Sequence, residues 1–269
     1  MDFLSGFLMQ IISSAGIIFL FGWLIALLRR GFCRSAGRCG PTILLLTGIV
    51  GTPIHELSHA LMCLLFGHKI TDVKLYDPKA RDGALGYVSH SYNKKNIYHQ
   101  IGNFFIGVAP VVLGGGVIIL LLSCLLPDVF EVISFEIELL SAHDIGSLPI
   151  ADFFTFLWSS AGAIFATDNF SNWQGWVFLI LAIMISTHME MSGSDIKSGL
   201  GGFAFLLVIM LLLDGALYVA SPTAFFALTT AAASFGLALA AILSISAFFL
   251  LLLLIAAALI RGIGMIFSK

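Results

Sequence analysis

Long runs of apolar residues, separated by polar stretches, dominate the chain. These runs cover residues 7–28, 41–67, 100–126, 173–188, 199–220 and 236–260. A helix rises about 1.5 Å per residue, so about 20 apolar residues are enough to cross the hydrocarbon core of a bilayer. The pattern predicts an all-α polytopic membrane protein with about six transmembrane helices.

The polar segment 68–99 has the pattern of a β-hairpin. Residues 70–76 and 85–91 are rich in β-forming side chains, and Asp82-Gly83 between them is a turn signal. We therefore expect a small hairpin directly after the second apolar run, and we place this segment on the cytoplasmic side of the membrane.

The other long polar segment, residues 127–172, is acidic and aromatic. It holds seven Asp or Glu residues and no Lys or Arg, together with a cluster of Phe and Trp side chains. Mixed acidic and aromatic segments of this kind suit the boundary between lipid and water. We expect an acidic interfacial loop on the extracytoplasmic side.

Composition supports a chain that is embedded in lipid. Apolar residues make up 59% of the sequence and charged residues only 10%, whereas a soluble domain has about 25% charged residues. We therefore interpret residues 1–269 as a single membrane-embedded domain. A net charge of −2 argues against a nucleic-acid partner, because nucleic-acid binding needs a basic surface.

Basic residues predict the orientation, because Lys and Arg favour the cytoplasmic side of a membrane. An N-terminus inside puts the six bases of segment 68–99, together with Lys197, Arg261 and Lys269, in the cytoplasm. The four arginines of residues 29–40 then face outside and oppose this orientation. We favour the N-terminus inside on the larger number of bases.

The second apolar run contains the motif H-E-x-x-H, formed by His55, Glu56 and His59. Two histidines four residues apart lie on one helix face and can bind one zinc ion, and the glutamate between them can act as general base on a water molecule. Three ionisable groups within five residues are costly inside a membrane, which favours a functional role over packing. We predict His55 and His59 as metal ligands and Glu56 as the catalytic base.

A hydrolytic zinc site needs a third protein ligand, and two aspartates are candidates. Asp195 lies in a Gly/Ser-rich interruption after the fourth apolar run, and Asp214 lies inside the fifth run in Leu-Asp-Gly. We favour Asp195 as the third ligand, and Asp214 remains the alternative.

An H-E-x-x-H within an apolar span, a hairpin after it and a later intramembrane aspartate resemble the site-2 protease family of intramembrane zinc metalloproteases. Residues 107–114 provide a loose version of that family's Gly-Pro element, and the resemblance covers about residues 41–215. Asp214 matches the family's Leu-Asp-Gly ligand motif literally. Asp195 matches it by position, because the family's aspartate lies on the third core span.

The resemblance implies a divergent bacterial relative in the cytoplasmic membrane. It implies a Zn²⁺-dependent endopeptidase that cuts a membrane-protein or peptide substrate in or near a transmembrane segment. The alternative is a metal-binding membrane protein without catalysis: a transporter, a receptor or a pseudoprotease. A transporter usually shows paired repeats, and this sequence shows one set of elements.

Overall fold

The computed structural model describes residues 2–79, 84–141 and 150–267. Over these residues the chain forms nine α-helices and one two-stranded sheet. The helices are α1 (Phe3–Ile11), α2 (Ile17–Ala36), α3 (Gly40–Leu65), α4 (Ile97–Leu125), α5 (Pro127–Ser141), α6 (Ile150–Ile164), α7 (Trp173–Ser186), α8 (Gly193–Ala220) and α9 (Pro222–Phe267). The prediction of an all-α membrane protein with a small hairpin is confirmed.

Among the described residues, four helical stretches are long and apolar enough to cross a membrane. They are Phe3–Leu65, Ile97–Leu125, Gly193–Ala220 and Pro222–Ile263. The first contains both of the first two predicted spans, which a turn at Gly37 divides into α2 and α3. Gly37 has φ of +55°, a conformation that glycine adopts without the steric cost of a side chain.

The fourth predicted span forms the shorter helix α7. With 14 residues it is about 21 Å long, which is less than the thickness of a bilayer core. Its last turn leads into residues 187–192, which connect α7 to α8. This connection lies against α3 and supplies part of the candidate site.

Strands β1 (Lys69–Lys74) and β2 (Tyr87–Ser91) form the antiparallel hairpin, with Lys74 opposite Tyr87. The predicted turn at Asp82-Gly83 lies outside the described residues. The hairpin packs along α3: the Tyr76 hydroxyl donates to the Leu45 carbonyl at 2.7 Å, so the hairpin reaches back almost to the start of that helix.

Segment 127–172 contains two helices, α5 and α6, which pack against each other and against α9. Ile133 and Phe156 are buried in the core, whereas Phe154 and Trp158 are exposed. The described part of this segment is thus helical, where the sequence suggested a loop. Each helix has one buried face and one face that carries exposed aromatic side chains.

Glycines bring α4 and α8 into close contact. A methyl group at Gly202 would collide with the backbone of Phe104, and one at Gly107 would lie 3.0 Å from the Cα atom of Gly199. Small residues at such interfaces let helix backbones approach directly. The contact positions the first turn of α8 beside the middle of α3 and α4.

Candidate metal centre

His55 and His59 lie on one face of α3, as their spacing predicts. Their Nε2 atoms are 3.1 Å apart, and both rings face a cleft of about 780 Å³. Two ligand atoms of one tetrahedral zinc ion, each about 2.0–2.1 Å from the metal, would lie about 3.3 Å apart. The separation of the two imidazoles therefore suits a shared metal ion.

Backbone carbonyls determine which ring nitrogens face the cleft. His55 Nδ1 donates to the carbonyl of His188 at 2.7 Å, and His59 Nδ1 donates to the carbonyl of Ile106 at 2.8 Å. A carbonyl can only accept, so Nδ1 carries the proton in each ring and Nε2 presents its lone pair. Two lone pairs at this separation repel each other unless a proton or a metal ion lies between them, so the arrangement is compatible with a metal site.

Asp195 completes this group from the first turn of α8. Its Oδ1 is 3.6 Å from His59 Nε2, and the ligand atoms of His55, His59 and Asp195 all lie within 4.8 Å of one another. Its other oxygen, Oδ2, accepts a hydrogen bond from the Ser192 N–H at 2.8 Å as part of a capping box. The cap holds the carboxylate with Oδ1 facing the histidines.

The alternative ligand, Asp214, lies elsewhere. It is nineteen residues further along α8, about 28 Å from Asp195 along the helix axis. Its side chain is buried, and its Oδ2 has no hydrogen-bond partner. Of the two aspartates, the structure brings only Asp195 to the histidines.

His188, in the connection between α7 and α8, supports the site. Its ring is hydrogen-bonded to Thr47 at 3.0 Å and to Thr52 at 3.3 Å, both on α3. Gly51 makes room for this contact, because a methyl group there would collide with His188 and with the Met184 carbonyl. Nothing in the sequence around Gly51 indicates that this glycine contacts His188.

Glu56 lines the same cleft, next to both histidines. The hairpin covers it: a methyl group at Gly86 would lie 2.8 Å from Glu56 Cγ and equally close to the Lys74 carbonyl oxygen. Residues 84–86, just before β2, therefore form a wall over the predicted base. Glu56 is buried, as expected for a base that acts in a closed site.

An ion pair between Arg29 on α2 and Glu190 forms another part of the cleft wall. Arg29 is one of the four arginines of residues 29–40 that oppose the predicted orientation. In the structure it belongs to α2, and its side chain turns inward to the site. The sequence shows only that Arg29 and Glu190 are charged residues next to apolar runs. Their pairing depends on how α2 packs against the α7–α8 connection.

These features define the class of protein: an all-α membrane protein with two histidines and one carboxylate gathered as a possible metal centre beside a buried glutamate. In comparisons with known proteins, residues 48–159 match the family model described as "Putative zincin peptidase". No curated protein matches the chain, and no solved structure matches it.

The matched region includes His55, Glu56, His59, the hairpin and all of α4 and α5. It ends before Asp195. The match supports a zinc metallopeptidase family for this chain without pointing to the site-2 protease family in particular. It agrees with the donor set, since two imidazoles and a carboxylate are ligands that catalytic zinc takes.

Proposed function

We propose that the protein is an intramembrane zinc metalloprotease that hydrolyses a peptide bond in or near a transmembrane segment of its substrate. The observation that carries this proposal is the convergence of His55 Nε2, His59 Nε2 and Asp195 Oδ1 in a cleft that Glu56 also lines. His55, His59 and Asp195 would hold the zinc. The apolar helices that surround them favour a substrate from the membrane.

Each group of the site has a part in this reaction. Zinc, when bound, supplies Lewis-acid chemistry that lowers the pKa of water and polarises a carbonyl. Glu56 accepts the proton of the attacking water and returns it to the leaving amine. The carbonyls of His188 and Ile106 keep the histidine rings oriented, and the cap from Ser192 does the same for Asp195.

The hairpin supplies a means of holding the substrate. In a transmembrane helix the carbonyl of the scissile peptide bond is hydrogen-bonded within the helix, so the helix must unwind locally before hydrolysis. In the two-stranded sheet of the described residues, β2 pairs with β1 on one edge only, and Tyr87 and Val88 of β2 line the cleft. We infer that an unwound segment adds to β2 as a third strand, which places its backbone near Glu56.

The decisive experiment compares wild type with Glu56→Gln. Each is co-expressed with a panel of single-span membrane proteins tagged at both ends, and cleavage is read from fragment size while zinc is measured in the purified chain. We expect the wild type to cleave a panel member and Glu56→Gln to lose cleavage by at least about 100-fold while it keeps its zinc. Glu131→Gln, a matched change at an exposed position on α5, should behave as wild type.

Two results would contradict the proposal. Normal cleavage by Glu56→Gln would exclude that residue as the base. A wild-type chain that retains zinc and cleaves no member of the panel would favour the alternative of a metal-binding receptor, transporter or pseudoprotease.

A further inference from the structure

We propose a second transition-metal site, formed by Cys63, His68 and His90, that fastens the hairpin to α3. The thiol and one nitrogen of each ring lie within 4.8 Å of one another. The three residues come from three places: the last turns of α3, the turn that follows it and strand β2. The ligands of this site differ from His55, His59 and Asp195, although His90 lines the same cleft, and the site does not depend on proteolysis.

The end of α3 brings Cys63 and His68 together. Gly67 has φ of +69°, and the His68 N–H donates to the Cys63 carbonyl at 2.8 Å. This is the backbone turn that ends many helices, and it folds the chain back over the last helical turn. His68 therefore lies against the helix that carries Cys63, and both are buried.

The hydrogen bond from His68 Nε2 turns the other ring nitrogen, Nδ1, towards His90, where a metal ion could replace the contact between the two rings. The Nε2 of His68 donates to the His99 carbonyl at 2.9 Å, so its Nδ1 carries a lone pair. That Nδ1 is 3.0 Å from Nδ1 of His90, which strand register places next to it, because His90 pairs with Ile70. The arrangement repeats that of His59, where a backbone carbonyl also orients the ring.

The donor set indicates which ions would bind. A thiolate and two imidazoles are ligands of zinc and of other borderline or soft transition metals, whereas calcium and magnesium require oxygen ligands. Zinc is therefore the natural probe.

An ion here would hold the hairpin in its position over the cleft. Cys63 is one turn after His59 on α3, and His90 lies on the strand that begins directly after Gly86, the residue packed on Glu56. A metal bond between helix and strand would keep this wall in place. The second site thus has a structural role next to the first.

Zinc content of the full-length, tag-free chain in detergent tests the proposal. We expect about two zinc ions per chain in the wild type and about one in Cys63→Ala, in His90→Gln and in His55→Ala. Cys124→Ala, an exposed thiol on α4, is the matched control and should keep about two.

Cobalt substitution supplies an independent readout, because only a cysteine ligand produces a thiolate-to-cobalt charge-transfer band. The band should appear in wild type and His55→Ala and vanish in Cys63→Ala. Two results would overturn the second site: a wild-type chain that binds one zinc ion which Cys63→Ala retains, or a wild-type cobalt spectrum without the band. Either would leave His68 and His90 as a hydrogen-bonded pair. If only the first site failed, the chain would still bind one metal ion and show the band.

Discussion

Gly107 on α4 touches the backbone of Asp195 on α8: a methyl group at position 107 would lie 2.5 Å from the Asp195 carbonyl oxygen. The position of the carboxylate thus depends on a residue that has no side chain to contribute. The weakest part of the family resemblance, the loose Gly-Pro element, contains the glycine that brings α8 to the histidines.

We predict that Gly107→Val displaces the first turn of α8 and weakens zinc binding at least about tenfold, since it moves Asp195 away from His55 and His59. Zinc affinity is measured by competition with a chelator. Gly116→Val on the same helix is the control, because a methyl group at Gly116 meets nothing within 4 Å. Equal affinities in the two variants would show that Asp195 does not need this contact.

The ion pair of Arg29 and Glu190 yields a prediction about stability. Both side chains are about one-quarter exposed, so removal of one partner leaves a partly desolvated charge. We expect Arg29→Met to lower the free energy of unfolding by about 1–3 kcal/mol, and Arg29→Met with Glu190→Gln to recover part of that loss. The coupling energy comes from unfolding in mixed micelles.

Arg30→Met serves as the control for this cycle, because Arg30 is exposed and adjacent in sequence. It should change the unfolding free energy by less than about 0.5 kcal/mol. If the double variant loses as much unfolding free energy as Arg29→Met and Glu190→Gln lose together, the two residues are not coupled.

Labelling of single cysteines by a membrane-impermeant maleimide tests the proposed orientation. With the N-terminus inside, Cys39 and Cys124, both exposed, should react in intact cells when each is the only cysteine. Lys94→Cys, just after the hairpin, should react only after the membrane is permeabilised. The reverse pattern would place the N-terminus outside.

The structure also changes the balance of charges behind that orientation. Arg29 is one of the four arginines that oppose the preferred topology, yet it is paired with Glu190 in the cleft wall. The opposition therefore comes from the other three arginines of residues 29–40. The sequence shows that Arg29 is charged, but only the structure shows that it pairs with Glu190.

What the sequence by itself determined is local. The apolar runs predict the helices because lipid requires a long apolar segment with its backbone hydrogen bonds satisfied internally. The pairing of His55 with His59 follows from helix periodicity alone, since residues four apart share a face. The hairpin likewise follows from alternation within a short segment.

The tertiary structure alone decided the contacts between distant parts of the chain. Asp195 rather than Asp214 joins the histidines because glycines let α4 and α8 approach at that level. The carbonyl of His188 orients His55 across 133 residues of sequence, and no periodic pattern encodes such a pairing. Local geometry follows from backbone sterics, whereas these contacts depend on how helices pack, and packing is a property of the whole bundle.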